Sequence, residues 1–274
     1  MISLYKKAQW VKICWIIFII FFFLLTGCQI KTPQITITVI GIDWSNSLYC
    51  FNEEKERERI CALVKNIVEA KKKSGIENFL IKTVEGRLRG IPLNTIIIIP
   101  IASDEVSFRE KIRCSTPEKL DTHINENAIL PDKKSYTFKT DFCDFFNLAK
   151  NEVEKQLEIL KNRYSTIKKG EVKVKVDFIL ITDGIHDPKG RINIPKVIEN
   201  INVNIIKQAY PDFSIEKFAD SISLPENSKI FFVGVPPRLK FDFWQKVMDK
   251  KGVACIFFEY ADLNDTSDIR KKIY

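Results

Sequence analysis

Apolar runs and amphipathic segments alternate along the chain from residue 34 onward. Continuous runs rich in Ile, Val and Phe predict buried strands, whereas apolar steps of three and four predict helices that cover a sheet. The predicted strands are residues 34–42, 95–102, 108–114, 172–182, 229–235 and 253–259. The predicted helices are residues 53–73, 76–88, 142–160, 195–201, 215–221 and 242–251.

This order of elements predicts the fold class. Strands that alternate with helices pair in parallel through right-handed crossovers. We therefore predict a doubly wound α/β fold with a mostly parallel central sheet and helices on both faces. Residues 115–139, with two prolines and many polar side chains, predict a loop with one short helix. Thr140 and Asp141 are the expected N-terminal caps of the central Phe-rich helix.

The N-terminal segment has a different pattern. A run of 13 apolar residues, 13–25, follows three lysines and leads into Thr26, Gly27 and Cys28. This run is shorter than the roughly 18 residues that span a bilayer. A basic start, a short apolar stretch and small residues before a cysteine are typical of a lipoprotein signal. We predict removal of residues 1–27 and a lipid on Cys28.

The predicted lipid places the rest of the chain in the cell envelope, tethered to a membrane through residues 28–33. If the envelope has two membranes, Gln29 after the lipidated cysteine indicates the outer one. The length that remains suits one large α/β domain, residues 34–262, followed by a C-terminal tail, residues 263–274. The net charge is +8, but acids are interspersed among the basic residues. That mixture is typical of solvated helix faces, so no nucleic-acid partner is expected.

Besides Cys28, the chain after the signal has an odd set of cysteines without CxxC spacing, which predicts at least one unpaired thiol and no thioredoxin-like motif. We interpret most of them as small buried hydrophobic residues. They are Cys50, Cys61, Cys114, Cys143 and Cys255.

Two of the predicted strands end in an acid. Asp43 follows the first strand and precedes Ser45 and Ser47, and Asp183 ends the strand that runs to Thr182. In open α/β sheets, ligands bind outside the carboxyl ends of the strands. A buried carboxylate without partners is costly, so we expect a cation or hydrogen-bond donors beside each acid.

These residues resemble the motifs of the von Willebrand factor type A domain over about residues 34–262. The segment from Asp43 to Ser47 is similar to the family's DxSxS signature, and Thr182-Asp183-Gly184 is similar to its later strand end. Thr140 is in the place of the family's separate threonine, although Lys139 replaces the glycine before it. The resemblance implies that the first and fourth strands are neighbours. It also implies a metal-ion-dependent adhesion site for Mg²⁺ or Mn²⁺, with the ligands Asp43, Ser45, Ser47, Thr140 and Asp183.

The chemistry of such a site suggests a function. Mg²⁺ prefers oxygen ligands, keeps several waters and takes only one or two carboxylates. Neutral hydroxyl ligands leave the cation short of negative charge, so an acidic residue of a protein partner can complete the shell. The expected function is metal-dependent binding of a protein, without catalysis.

Two other functions fit parts of the pattern. A haloacid-dehalogenase-like phosphatase would use Asp43 as nucleophile and the DxxxD spacing of Asp183 and Asp187. Such enzymes commonly carry an acid/base aspartate where this chain has Ser45, which cannot protonate a leaving group. The third possibility is a metal-free type A scaffold. We interpret His186, next to Asp187, as a residue that braces the loop.

Overall fold

The computed structural model describes strands and helices in the predicted alternation. It describes residues 34–43, 45, 54–74, 79–82, 88–91, 94–101, 113–115, 139–168, 170, 172–193 and 200–258. The strands are β1 Gln34–Asp43, β2 Phe79–Lys82, β3 Leu88–Ile91, β4 Asn94–Ile101, β5 Arg113–Ser115, β6 Lys173–Ile181, β7 Ser228–Val233 and β8 Ala254–Phe258. The helices are α1 Glu54–Ser74, α2 Phe142–Arg163, α3 Ser165–Lys168, α4 Val203–Ala209, α5 Ile215–Ser221, α6 Pro237–Leu239 and α7 Gln245–Lys251, with a π-helical turn at Lys240–Trp244.

The central sheet has six strands in the order β5-β4-β1-β6-β7-β8. β1 pairs in parallel with β4 and with β6, and β7 and β8 continue the parallel pairing. β5 is antiparallel to β4 at one edge. The predicted mostly parallel sheet is confirmed. The strands that precede Asp43 and Asp183 are neighbours, as the resemblance implied.

Helices cover both faces of this sheet. Successive side chains of β1 point to opposite faces, because the side-chain period of a strand is two. Ile37 and Val39 belong to the core cluster on the face of α2, α4, α5 and α7. Ile40 and Ile42 pack into the second cluster with α1. Since β1 is buried on both faces, its apolar run needs no polar alternation.

Close packing of α2 against β1 fixes the N-terminal end of that helix. A Cβ atom at Gly41 would lie 2.7 Å from the Phe145 ring and 2.8 Å from the Leu180 side chain. Glycine therefore lets α2 approach the sheet one turn after its first residue. This contact places the start of α2 near the carboxyl end of β1, where Asp43 lies.

One predicted helix is wrong, and a second lies mostly outside the described residues. Residues 76–88 do not form the predicted helix, because Phe79–Lys82 and Leu88–Ile91 pair as antiparallel strands. Short apolar runs fit the periods of both a helix and a strand, and pairing of the two segments favours the hairpin. The helix expected at residues 195–201 can be compared with the structure only at its last two residues, and the helix that the structure describes nearby is Val203–Ala209, capped by the Asn202 side chain. Ile201 is not helical, and residues 194–199 lie outside the described residues.

Other boundaries moved by a few residues. The last helical segment begins at Pro237, five residues before the predicted start at Asp242, because proline is well placed in a first helical turn. Asp141 alone caps α2, by accepting hydrogen bonds from the Cys143 and Asp144 amides. Of the predicted strand 108–114, the structure describes only its end, as Arg113–Ser115.

Several predictions fall outside the described residues. They are the lipoprotein signal, the tether and Cys28 in residues 1–33, Ser47, most of the loop at 115–139, and the tail at 263–274. Within the described ranges, no helix combines the length and the apolar character that crossing a membrane requires.

Candidate metal centre

Asp43 is the polar side chain around which the carboxyl edge of the sheet is organised. Its exposed fraction is 0%. One carboxylate oxygen, Oδ1, accepts from the Ser45 amide at 2.8 Å and from the Thr140 hydroxyl at 3.4 Å. The other, Oδ2, accepts from the Thr182 hydroxyl at 2.6 Å. Three separate segments of the chain therefore meet at this one carboxylate.

Burial raises the pKa of Asp43 to about 6, although hydrogen bonds from Thr182, Ser45 and Thr140 act in the opposite direction. No lysine or arginine within the described ranges forms an ion pair with this carboxylate. At neutral pH most molecules thus hold a buried negative charge that hydroxyls and an amide solvate. Such a charge is costly unless a cation joins it.

Asp183 is brought beside Asp43 by strand pairing. The register aligns Ile42 with Ile181, so the residue after β6, Thr182, lies level with Asp43. Asp183 comes next and is nearly buried. Its Oδ1 accepts from the Ile185 amide at 2.9 Å. The two acids therefore lie at the same edge on adjacent strands, as the sequence predicted.

Thr182 also orients the loop that follows it. While its hydroxyl donates to Asp43, the hydroxyl oxygen accepts from the Gly184 amide at 2.9 Å. Gly184 has a φ of +74°, and a Cβ there would lie 2.6 Å from Trp244 Nε1. Trp244 donates from Nε1 to the Gly184 carbonyl at 2.9 Å. Glycine is thus required both by the backbone conformation and by the indole that braces the loop.

Thr140 is held by backbone pairing with the loop after β6. The Thr140 amide donates to the Asp187 carbonyl at 3.0 Å, and the Asp187 amide donates to the Thr140 carbonyl at 2.8 Å. This bridge fixes the threonine next to Asp43 without the glycine that precedes it in the type A family. Lys139 is exposed and does not disturb the bridge.

Asp187 stabilises that bridge through its own side chain. Oδ1 accepts from the Arg191 amide at 2.8 Å and from the Tyr210 hydroxyl, and Oδ2 accepts from the Ile192 amide at 3.0 Å. Burial raises the pKa of Tyr210 to about 12, and the hydrogen bond to Asp187 acts in the same direction. The Asp187 carboxylate therefore orders the loop, and both of its oxygens already accept hydrogen bonds.

The structure joins three of the five predicted metal ligands by hydrogen bonds and places a fourth, Asp183, at the same edge of the sheet. Asp43, Ser45 and Thr140 are joined by hydrogen bonds, and Asp183 lies one residue beyond the threonine that contacts Asp43. Ser47 lies outside the described residues. Coordination of a cation by these five residues stays a prediction.

Sequence reasoning missed three residues that build the site. Thr182 was noted as part of a motif, but its hydroxyl contact with Asp43 was not foreseen. Trp244 and Tyr210 lie far away in sequence and carry no local signal. The Asn-capped helix α4, which brings Tyr210 to the site, was not predicted by the periodicity.

Comparisons with known proteins give fold-level likeness only. No family model matches the sequence, and no curated protein matches it. Among solved structures, the TFIIH p34 N-terminal domain is 11% identical with a TM-score of 0.43, over 86% of this chain and 98% of that one. Proximal thread matrix protein 1 from the mussel byssus, with a zinc-occupied MIDAS motif, is 12% identical with a TM-score of 0.42, over 86% and 47%.

A third similar structure is the open conformation of the pilus adhesin SpaC from Lactobacillus rhamnosus GG. It is 12% identical with a TM-score of 0.41, over 87% of this chain and 30% of that one. The chain thus spans about half of the thread matrix protein and about a third of the adhesin. Likeness at this level transfers no site residue, so the candidate metal centre rests on the chain's own geometry.

Proposed function

We propose that this chain is a membrane-anchored binding protein of the von Willebrand factor type A kind, which captures a protein partner through a divalent cation. The single observation that carries the proposal is the state of Asp43. This carboxylate is fully buried, and among the described residues it accepts hydrogen bonds from hydroxyls and an amide and pairs with no basic side chain. A cation from solution supplies the missing positive charge.

The donor set fits Mg²⁺ or Mn²⁺. The side-chain donor atoms of all five predicted ligands are oxygens, which hard divalent cations prefer over nitrogen and sulfur. Asp43 and Asp183 supply the negative charge, and the hydroxyls of Ser45, Ser47 and Thr140 supply neutral ligands. When bound, the cation provides a Lewis-acidic position that a carboxylate from a partner can occupy.

The anchor part of the proposal rests on the sequence before residue 34. The basic start, the short apolar run and Cys28 support lipidation and location in the cell envelope. A lipid anchor confines the domain to a membrane surface, which raises its effective concentration toward partners there. The partner is a protein that offers an acidic residue to the metal.

The phosphatase alternative would need Asp187 as a second metal or catalytic acid. That carboxylate would have to give up hydrogen bonds from two backbone amides and from Tyr210. Ser45 in place of an acid/base aspartate is the second difficulty. Neither feature hinders a binding module, in which Asp187 only orders the loop.

A thermal-shift titration of the purified protein with Mg²⁺ and Mn²⁺ tests the metal centre. A ligand that binds only the folded state adds about 2.7 kcal/mol of stability at 100 times its dissociation constant. We expect the melting temperature to rise by several degrees. Asp43→Asn and Ser45→Ala should lose most of this rise, because each removes an oxygen ligand.

Asp249→Asn is the matched control, since it removes one carboxylate from an exposed position on α7 and should keep the full rise. No response of the wild-type protein to millimolar Mg²⁺ or Mn²⁺ would leave the metal-free scaffold as the better reading. Turnover of a generic phosphoester that disappears in Asp43→Asn would instead support the phosphatase.

Lipidation is tested separately with Cys28→Ser. The wild-type chain should incorporate labelled fatty acid and be processed, whereas the variant should accumulate as an unprocessed precursor. Equal labelling of the two proteins would contradict the anchor and leave the metal proposal untouched.

A further inference from the structure

A second group of metal-ligating side chains lies beside the oxygen site. Asp141, Cys143 and His186 each place one ligand atom within 4.8 Å of the other two. Their donors are oxygen, sulfur and nitrogen, which differ from the all-oxygen set around Asp43. We propose that these three residues form a separate site for a borderline-soft transition metal, with Zn²⁺ as the ion that fits best.

The cluster is assembled by three elements. Asp141 and Cys143 flank the first residue of α2, and His186 lies in the loop after β6. Helix α5 supports two of the ligands: the Phe218 ring packs on the His186 ring with centroids 4.8 Å apart, and the Ser221 hydroxyl lies 3.0 Å from the Cys143 sulfur. The histidine is therefore fixed, while the other two ligands are partly exposed and can adjust.

Each ligand has a donor atom that is available at low cost. Both capping bonds of Asp141 use Oδ1, which leaves Oδ2 outside the cap. The Nδ1 atom of His186 accepts from the Phe142 amide at 3.4 Å, which is long for a hydrogen bond. The Ser221 hydroxyl donates to the Phe218 carbonyl at 2.8 Å, so the Cys143 thiol is the donor in the S–O contact.

His186 is already in the neutral state that binds a metal, whereas the Cys143 thiol has to lose its proton. Burial lowers the pKa of His186 to about 4, so its imidazole is neutral and keeps a lone pair at physiological pH. Burial raises the pKa of the Cys143 thiol to about 11. Binding therefore forms a metal–sulfur bond and releases the thiol proton to solvent, as is usual for cysteine ligands.

Charge balance supports a divalent ion in this position. The start of a helix carries a partial positive charge and disfavours cations. The Asp141 carboxylate and the Cys143 thiolate together supply two negative charges, which neutralise a divalent ion locally. Without both anions the site would be unfavourable, so each should be needed for tight binding.

The donor types select the metal. Cysteine sulfur and histidine nitrogen are ordinary zinc ligands, at about 2.3 Å and 2.0 Å from the ion, whereas Mg²⁺ takes oxygen ligands. Ligands around a tetrahedral zinc lie roughly 3.5 Å apart, so the cluster has to contract from its present spacing. The partly exposed Asp141 and Cys143 side chains can supply that movement. Three protein ligands leave the fourth position to water.

Cobalt is the probe that tests this site, because a Co²⁺–thiolate bond gives a charge-transfer absorption that oxygen ligands do not give. The purified full chain is titrated with Co²⁺ in excess Mg²⁺. We expect a thiolate-to-cobalt band with one equivalent, and its loss on addition of Zn²⁺. Cys143→Ser should abolish the band, and His186→Gln and Asp141→Asn should each weaken Co²⁺ binding at least tenfold.

Cys255→Ser is the matched control. Cys255 is also a partly exposed free thiol whose pKa is raised to about 11 by burial, and it donates to Gln245. Its variant should keep the band. Asp43→Asn should also keep it, so that failure of the oxygen site and failure of this site are distinguishable.

A second measurement does not depend on folding of the variants. In the wild-type chain, Zn²⁺ should protect Cys143 from alkylation more than tenfold, as mapped by peptide mass spectrometry, and should leave Cys255 unprotected. Absence of the cobalt band in wild type, a band that survives Cys143→Ser, or equal alkylation of Cys143 with and without Zn²⁺ would each overturn the proposal.

Discussion

Asp43 and Asp177 lie on neighbouring strands of the sheet and both are fully buried, yet their surroundings differ in kind. Asp177 Oδ2 lies 3.2 Å from the Lys71 ammonium and 3.0 Å from the Lys175 ammonium. Asp43 accepts hydrogen bonds from hydroxyls and an amide, and no basic side chain in the described part of the chain pairs with it. Among the described residues, basic side chains therefore balance the charge of Asp177 but not that of Asp43.

The difference separates a structural acid from a candidate ligand. Asp177 lies in the middle of β6, level with Thr38 of β1, and is covered by α1. The Lys71 and Lys175 ammonium groups balance its charge within the chain. Asp43 lies at the carboxyl end of β1, the edge of the sheet outside which ligands bind in open α/β folds. We therefore expect a buried acid to bind a cation when no basic side chain of the described residues pairs with it, and not because of burial alone.

The Lys71–Asp177 pair has to offset the cost of burying the Lys71 ammonium. Its side chain is only 5% exposed. Burial lowers the pKa of Lys71, and the charge of Asp177 acts in the opposite direction. The Lys71 carbonyl also accepts from the Asn94 side chain at 2.7 Å, which ties the end of α1 to β4. The ion pair with Asp177 and the hydrogen bond from Asn94 thus both hold the end of α1 against the sheet.

The largest effect is expected for Asp177→Asn. The substitution removes the carboxylate that pairs with the buried Lys71 ammonium, and breaking a buried pair in this way costs roughly 3–5 kcal/mol. Urea unfolding of the purified protein in EDTA should show that loss. The Mg²⁺-induced rise in melting temperature should persist, because Asp177 lies outside the metal centre.

The contrast between a structural Asp177 and a metal-binding Asp43 would be contradicted if Asp177→Asn were as stable as wild type. It would also be contradicted if the variant stayed folded but lost its Mg²⁺ response, since the two acids would then serve one function.

The sequence predicted the parallel part of this fold because its signals are local. Residues 34–42 are apolar on both faces, and only a buried central strand accommodates that pattern. Asp43, Ser45 and Asp183 follow strands directly, so the rule for sheet edges placed them near one another. The hairpin Phe79–Lys82 with Leu88–Ile91 was missed, because its short apolar steps also fit a helix and pairing decides between the two.

The supporting contacts were beyond sequence reasoning for a different reason. Tyr210 reaches Asp187 across 23 residues, and Trp244 reaches Gly184 across 60. The indole arrives on a π-helical turn, which no apolar period predicts. The Lys71–Asp177 pair likewise joins residues that are 106 positions apart. Such contacts depend on tertiary packing of whole elements.

A gain in stability is expected for Asp43→Asn in EDTA at neutral pH. The pKa of about 6 in the folded state, against an ordinary 3.8, means that ionising this buried carboxyl costs up to about 3 kcal/mol. The neutral amide avoids that cost but loses some hydrogen-bond strength, so we expect a gain of about 1–2 kcal/mol in the free energy of unfolding. Urea unfolding at pH 7.5 measures it.

The Asp43→Asn variant also tests how the stability of the protein depends on pH. Because the folded state holds the Asp43 proton more tightly than the unfolded chain, this contribution to stability is fully present below pH 3.8 and is lost as the pH rises through about 6. The stability difference between Asp43→Asn and wild type should therefore grow from pH 4 to pH 7 in EDTA. Saturating Mg²⁺ should reverse it. A difference that does not change with pH would show that Asp43 is ionised at no cost, through a cation elsewhere in the chain.

The smallest effect is expected for Lys175→Met. The Lys175 side chain is 35% exposed, whereas Lys71 is 5% exposed, and both pair with the same oxygen of Asp177. Removing the exposed lysine leaves the buried pair intact, and partly exposed ion pairs contribute less than about 1 kcal/mol.

Lys71→Met is the matched comparison. It leaves Asp177 with only a solvent-screened partner, so its free energy of unfolding should fall severalfold more. Equal losses in the two variants would mean that Asp177 is balanced by both lysines together, and that the buried pair is not the counterpart to the unbalanced charge of Asp43.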